Sequence, residues 1–144
     1  MRGKRLTWLA LGVLCALACD STSSSPSDPS GSPIAVYEGL LEPDATDFQG
    51  VDFGNGQTFL IQVDSLEFVV GEPPTFGVLL GVGIGFLNAA GDACASTSSR
   101  LLSVGDDWIL HLSGSNYCLN FSDPGIFPDE TVVSYRVLVF EAFD

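Results

Sequence analysis

FGVLLGVGIGF, residues 76–86, is an uncharged stretch of eleven residues with glycine at positions 77, 81, 83 and 85. Alternate side chains of a β-strand point to opposite faces, so one face of this stretch carries only apolar side chains: Val78, Leu80, Val82, Ile84 and Phe86. The other face is nearly bare because of its glycines. The pattern predicts a central core strand. We expect its glycine face, at Gly81, Gly83 and Gly85, to be either shallow and open or closely covered by another segment, and we take it as the candidate ligand face.

Two other interpretations of this stretch fail. A membrane-spanning helix needs about 20 apolar residues, whereas the uncharged run from Pro73 to Ala90 contains Pro73-Pro74, Asn88 and four glycines. A dinucleotide-binding loop needs the spacing Gly-x-Gly-x-x-Gly between a strand and a helix. The sequence GVGIGF lacks that spacing, and no helical pattern follows it.

The rest of residues 35–144 also has a hydrophobic period of two. It is clear in QTFLIQV (57–63), DWILHLS (107–113), YCLNF (117–121) and VSYRVLVFEAF (133–143). Turn-forming clusters such as GNGQ, NAAGDA and SDPG separate these segments. The pattern predicts an all-β fold, a single antiparallel β-sandwich or jelly-roll-like domain of about seven or eight strands over residues 35–144.

The N-terminus has the pattern of an export signal. Three basic residues among the first five are followed by the apolar run Leu6–Ala18 and then by Cys19. The sequence Ala16-Leu17-Ala18-Cys19 resembles the lipobox of bacterial lipoproteins, in which the signal is cleaved before a cysteine that carries a lipid. This resemblance implies a signal peptide at 1–18, lipidation at Cys19 and membrane attachment through the lipid, at the periplasmic face or the cell surface. An ordinary secretory signal cut nearby is the alternative. Residues 19–34 are rich in Ser and Pro and predict a flexible linker.

The exported part of the chain is strongly acidic. After residue 19 only Arg100 and Arg136 are basic, against eighteen acidic residues, which gives a net charge of −16. Such a surface repels phosphate backbones, so nucleic acid is excluded as a partner.

Four stretches together resemble the bacterial pre-peptidase C-terminal β-sandwich in their order and spacing. They are Gly56–Leu66, Thr75–Cys94, Ser113–Gly125 and Tyr135–Phe140. Domains of that family are usually non-catalytic modules appended to secreted hydrolases. The resemblance implies that this chain is such a module alone on a lipid anchor. It departs from the family at SGSNY, which replaces a tighter turn, and at FPDE, which lengthens the last connection.

The chain has four cysteines, of which Cys15 lies in the signal and Cys19 is the lipidation candidate. The remaining pair, Cys94 and Cys118, predicts a disulfide because the domain is expected to be exported. Metal binding by this pair is the weaker alternative, since no second pair or histidine cluster completes a site.

No motif in the sequence indicates catalysis or a cofactor. His111 is the only histidine, the exported part has no lysine, and no metalloprotease, nucleophile-elbow or phosphate-loop motif is present. Calcium is a minor hypothesis, because acidic turns supply the oxygen ligands that it prefers. The candidate ligands are Asp106, Asp107, Asp123, Asp129 and Glu130.

These observations predict a lipid-anchored, non-catalytic module that binds or scaffolds at the cell envelope, with an envelope polymer or a protein as its partner. Two alternatives stay open. One is a small hydrolase that uses a pair of carboxylates, which would require two acids that converge in a cleft. The other is a purely structural envelope component.

Overall fold

The computed structural model describes residues 31–51, 56–75 and 77–142, which form eight β-strands. No helix in these ranges is long and apolar enough to cross a membrane. The strands are β1 (Ala35–Leu41), β2 (Thr46–Val51), β3 (Gln57–Val70), β4 (Leu80–Leu87), β5 (Cys94–Leu102), β6 (Asp107–Leu112), β7 (Tyr117–Ser122) and β8 (Val132–Ala142).

The strands form two four-stranded antiparallel sheets. The first sheet has the order β1-β8-β3-β6 and the second has the order β2-β7-β4-β5. This is the strand order of an eight-stranded jelly roll. The predicted fold class is therefore confirmed, and β4 lies inside its sheet between β7 and β5, as a central strand should.

The core fills the space between the inner faces of the two sheets. The expected alternation holds on β3, where Phe59, Ile61 and Val63 are buried in this core, and on β4, where Leu80, Val82 and Ile84 are. The other strand residues in this core are Leu41, Val51, Leu102, Trp108, Leu112, Tyr117, Leu119, Phe121, Val133, Tyr135, Val137 and Val139.

The prediction for β4 was wrong at its two ends. The strand starts at Leu80, and Val78 packs against the core from the segment before it. Phe86 is 45% exposed instead of buried. Its partner across the sheet is Tyr117, the first residue of β7, and the two rings stack with centroids 5.0 Å apart. Phe86 therefore covers the end of the sandwich, where the core stops. Phe76 lies outside the described residues.

One hydrogen bond links the two sheets through the core. The Tyr135 hydroxyl on β8 donates to Asp47 Oδ2 on β2 over 2.6 Å. Tyr135 is 2% exposed, and its ring lies directly against the backbone of Gly39. Burial first, and then the hydrogen bond and charge of Asp47, raise the pKa of Tyr135 above its ordinary value. The pair satisfies a tyrosine hydroxyl that would otherwise be buried without a partner.

Candidate functional site

The glycine face of β4 is covered, which decides between the two predicted alternatives. Gly81, Gly83 and Gly85 are all buried. A methyl group on Gly81 would meet the side chain of Ser122, and one on Gly83 would meet that of Asn120. Polar side chains of the neighbouring strand β7 thus cover these two glycines, so their backbone is not open to a ligand.

Gly85 is covered by backbone instead of side chain. A Cβ on Gly85 would fall on the carbonyl of Ala95 and lie 2.7 Å from the Cα of Ser96. The register between β4 and β5 shifts between Ile84 and Gly85, a β-bulge that bends β5 over the outer side of β4. Glycine is the residue that leaves room for this crossing.

The predicted disulfide between Cys94 and Cys118 is present. Cys94 lies on β5 and Cys118 on β7, and the two strands flank β4 on opposite sides. Strands separated by a third are normally about 9.6 Å apart, whereas the Cα atoms of the two cysteines are 5.9 Å apart. The bridge therefore spans β4 beside Gly85, which is the partner of Cys118 in the sheet.

The structure does not bring the five calcium candidates together. Among the described residues there is no group of three or more His, Cys, Asp or Glu side chains placed to hold a metal ion. Asp123 instead organises its own loop, because its Oδ1 accepts backbone N–H bonds from Gly125, Ile126 and Phe127 at 2.9–3.2 Å. Its Oδ2 accepts the N–H of Asp44 at 3.0 Å.

The other candidates occupy turns. Asp106 Oδ2 accepts the backbone N–H of Ser103 at 2.8 Å and so closes the turn between β5 and β6. Asp107 is the first residue of β6, and Asp129 and Glu130 form the exposed turn before β8. Calcium binding by these acids stays a prediction without a shared site.

His111 is exposed on β6, and its Nδ1 lies 3.1 Å from the Thr58 hydroxyl. This contact links two neighbouring strands.

The outer face of the first sheet carries a feature that the sequence analysis missed. Leu60 is paired with Phe140 on one side and with Ile109 on the other. Ile34, just before β1, donates its N–H to the Val139 carbonyl at 2.8 Å, so the chain meets β8 one residue before β1 begins. Phe140, Leu60 and Ile109 are thus aligned across β8, β3 and β6. With Ile34, which lies just before β1, they form what we call the apolar row.

The ends of the apolar row are exposed and its middle is not. Ile34 and Ile109 are 51% and 64% exposed, whereas Phe140 and Leu60 are 7% and 8% exposed. These side chains point away from the sandwich core, to which none of them belongs. The solvent face of an antiparallel sheet is normally polar, so an apolar row on this face is unusual.

A shallow depression of about 230 Å³ lies farther along the same face, over β1, β8 and β3. Arg136 is among its lining residues, and its Nε lies 3.2 Å from Glu38 Oε1 and 3.6 Å from Asp64 Oδ2. We call it the acidic depression, and its lining residues are Glu38, Gly39, Ser65, Glu67, Ser134, Tyr135 and Arg136.

Two acids, Glu38 and Glu67, line this depression, which is the arrangement that the hydrolase alternative calls for. Carboxylate-dependent hydrolysis needs one acid that keeps its proton in an apolar setting. The Glu38 side chain is 64% exposed and paired with Arg136, and Glu67 is exposed as well. The arrangement suits charge recognition better than proton transfer.

The sequence held a signal for this face. The period-two pattern sets Leu138 and Phe140 opposite the core residues Val137 and Val139, and Ile109 opposite Trp108. Apolar residues on the face that should be polar indicate a covered or binding surface. Their alignment was beyond prediction, because it depends on which strands are neighbours.

The N-terminal predictions lie outside the described residues. They are the signal peptide at 1–18, the lipidated Cys19 and all of the linker except residues 31–34.

No family model matches this chain, and no curated protein matches it. Among solved structures, the chain is similar to the crystal structure of Aeromonas hydrophila PliG, a periplasmic lysozyme inhibitor of g-type lysozyme. The two share 14% sequence identity with a TM-score of 0.46, over 76% of this chain and 89% of that chain. A likeness this distant carries no inference about what the present chain binds.

Proposed function

We propose that this protein is an exported, non-catalytic β-sandwich module, held at the bacterial envelope by a lipid on Cys19, that binds a protein partner through the outer face of the first sheet. The resemblance to pre-peptidase C-terminal domains, which are non-catalytic appendages, agrees with this proposal.

The observation that carries the binding role is the apolar row beside the acidic depression. Exposed apolar patches on a folded domain commonly mark interaction sites. The patch here ends in Ile34 and Ile109, which are at least half exposed. On the second sheet, Asn120 and Ser122 cover the glycines of β4, and Leu101 is an exposed apolar side chain on its outer face.

Export is supported by the Cys94–Cys118 disulfide, since such bonds persist in oxidising compartments outside the cytoplasm. It is supported independently by the signal-like N-terminus.

The binding role is tested by photo-cross-linking in cells that export the protein. A benzoyl-phenylalanine residue replaces Ile109 in one variant and Leu101 in a control. Leu101 is 56% exposed and lies opposite Gly81, on the outer face of the second sheet. We expect a specific protein adduct at position 109 and none at position 101. Equal adducts at both positions, or none at either, would contradict the proposal.

The lipid anchor is tested by incorporation of labelled palmitate. We expect label in the intact protein and none in Cys19→Ala, with loss of that variant from the membrane fraction. Retained label in Cys19→Ala would contradict lipidation at Cys19 and would leave the proposed binding role untested by this experiment and unchanged.

A further inference from the structure

Resting on the binding role proposed above, we infer the chemistry of the partner: a protein surface that is apolar where it covers the apolar row and that carries lysine or arginine where it meets the acidic depression.

The apolar row sets the shape of the apolar part. Its aligned members lie on β8, β3 and β6, and two inter-strand spacings amount to about 10 Å. Ile109 lies on β6 and Ile34 beside β1, which are the two edge strands of the first sheet. Because Phe140 and Leu60 are only 7% and 8% exposed, a partner contacts the row at its exposed ends, Ile109 and Ile34. Val36 and Leu138 pair with each other next to the row and widen the apolar area.

The charges on the same face determine the charge expected of the partner. Four carboxylates point outward from the first sheet, at Glu38, Asp64, Glu67 and Asp107, against the single arginine Arg136. Arg136 is already paired with Glu38 and Asp64, so it leaves the face negative.

The two features are separated by a fixed distance. Arg136 lies four residues before Phe140 on β8, which is about 13 Å along the strand. The basic groups of the partner are therefore displaced by about this distance from its apolar part.

The same charges argue against two other occupants. A second copy of this chain would bring an equally acidic surface against this one, at a net charge of −16 for each exported chain. An anionic lipid surface would be repelled for the same reason. A cationic protein surface with apolar residues would be attracted by the acidic depression and would bury apolar area at the apolar row.

The test uses two synthetic peptides of equal length and charge, one of alternating leucine and lysine and the other of alternating serine and lysine. Binding to the exported chain is measured by titration calorimetry, and the contact is mapped by amide chemical-shift changes. Ile109→Asp tests the row, and Leu101→Asp is the matched control on the other sheet. Both side chains are more than half exposed, so neither change disturbs the core.

We expect the leucine–lysine peptide to bind at least about tenfold more tightly than the serine–lysine peptide, since it buries apolar side chains. Ile109→Asp should weaken it by about tenfold or more, Leu101→Asp should leave it unchanged, and the shift changes should centre on Leu60, Phe140 and Ile109. The affinity should fall with added salt.

The inference is overturned if the two peptides bind alike, or if both substitutions weaken binding equally. It is also overturned if the unmodified chain dimerises, or binds phosphatidylcholine vesicles, in a manner that Ile109→Asp abolishes. These results are separable from failure of the proposed function. A cross-link at position 109 in cells together with failure of the leucine–lysine peptide would keep the binding role and reject this partner chemistry.

Discussion

At the scale of single residues, the Tyr135–Asp47 hydrogen bond joins the two sheets across the core. The hydroxyl is buried, whereas Asp47 is only partly so. Removing one partner of a buried hydrogen bond costs more when the group left behind remains buried. The two ends of this bond should therefore respond differently to substitution.

We expect Asp47→Ala to lower the free energy of unfolding by about 1–3 kcal/mol, because it leaves the buried Tyr135 hydroxyl without its hydrogen-bond acceptor. Tyr135→Phe should cost less, since the carboxylate that it leaves can be hydrated. Urea unfolding of both variants measures the difference. A larger loss in Tyr135→Phe than in Asp47→Ala would contradict this assignment.

The same residue predicts how stability depends on pH. Below about pH 10 both the folded and the unfolded chain keep the Tyr135 proton. Above it the unfolded chain loses the proton while the folded chain retains it, because burial and Asp47 raise the folded-state pKa of Tyr135. Stability should therefore fall as pH rises, by up to about 1.4 kcal/mol for each pH unit.

Urea unfolding midpoints between about pH 9 and pH 11 test this dependence in the native chain and in Tyr135→Phe. The variant should show a shallower fall. Part of the fall should remain, because burial also raises the pKa of Tyr37. Parallel curves for the two proteins would rule out Tyr135 as the source.

At the scale of elements, the glycines of β4 leave room on its outer face for residues of the neighbouring strands β5 and β7. β5 bends across it at Gly85, and the Cys94–Cys118 bridge holds that bend. The glycines that resemble a binding site in the sequence are thus a packing device. The covering residues come from β5 and β7, which start seven or more residues after the end of β4, and the pattern of a single strand carries no information about them.

We expect Gly85→Ala to destabilise the domain by about 1–3 kcal/mol, because the added methyl must displace the backbone of Ala95. Gly50→Ala is the matched control, on β2 of the same sheet. Its methyl would lie 3.2 Å from the Leu87 Cδ1, a side-chain atom that can turn away. Thermal unfolding of both variants gives the comparison, and equal stability would show that β5 does not press on β4 at this point.

Sequence patterns predicted the strands well where one face is apolar and poorly elsewhere. The alternations in 107–113 and 133–143 grouped on one face the residues that pack in or against the core: Trp108, Leu110 and Leu112 of β6, and Val133, Tyr135, Val137 and Val139 of β8. β5 reads CASTSSRLL, and its serines and threonines give no apolar period. Register between strands is set by contacts far apart in sequence. The apolar row, whose members come from four segments far apart in the sequence, could therefore be found only in the folded chain.

At the scale of the whole molecule, the two outer faces of the sandwich differ. The second sheet lays small polar side chains over its glycines, whereas the first presents the apolar row and the acidic depression. A domain that only filled space at the envelope would have no need for this asymmetry. The asymmetry supports a module that binds through one face.

Side-chain footprinting with a photo-generated carbene tests this central claim most directly, by comparing the protein in intact cells with the purified protein. The probes on the first sheet are Val36 and Ile109, and those away from it are Leu101 and Val104, all of them exposed in the isolated chain. We predict that labelling of Val36 and Ile109 falls in cells while labelling of Leu101 and Val104 is unchanged. Equal labelling of Val36 and Ile109 in both settings, or protection confined to Leu101 and Val104, would contradict the account.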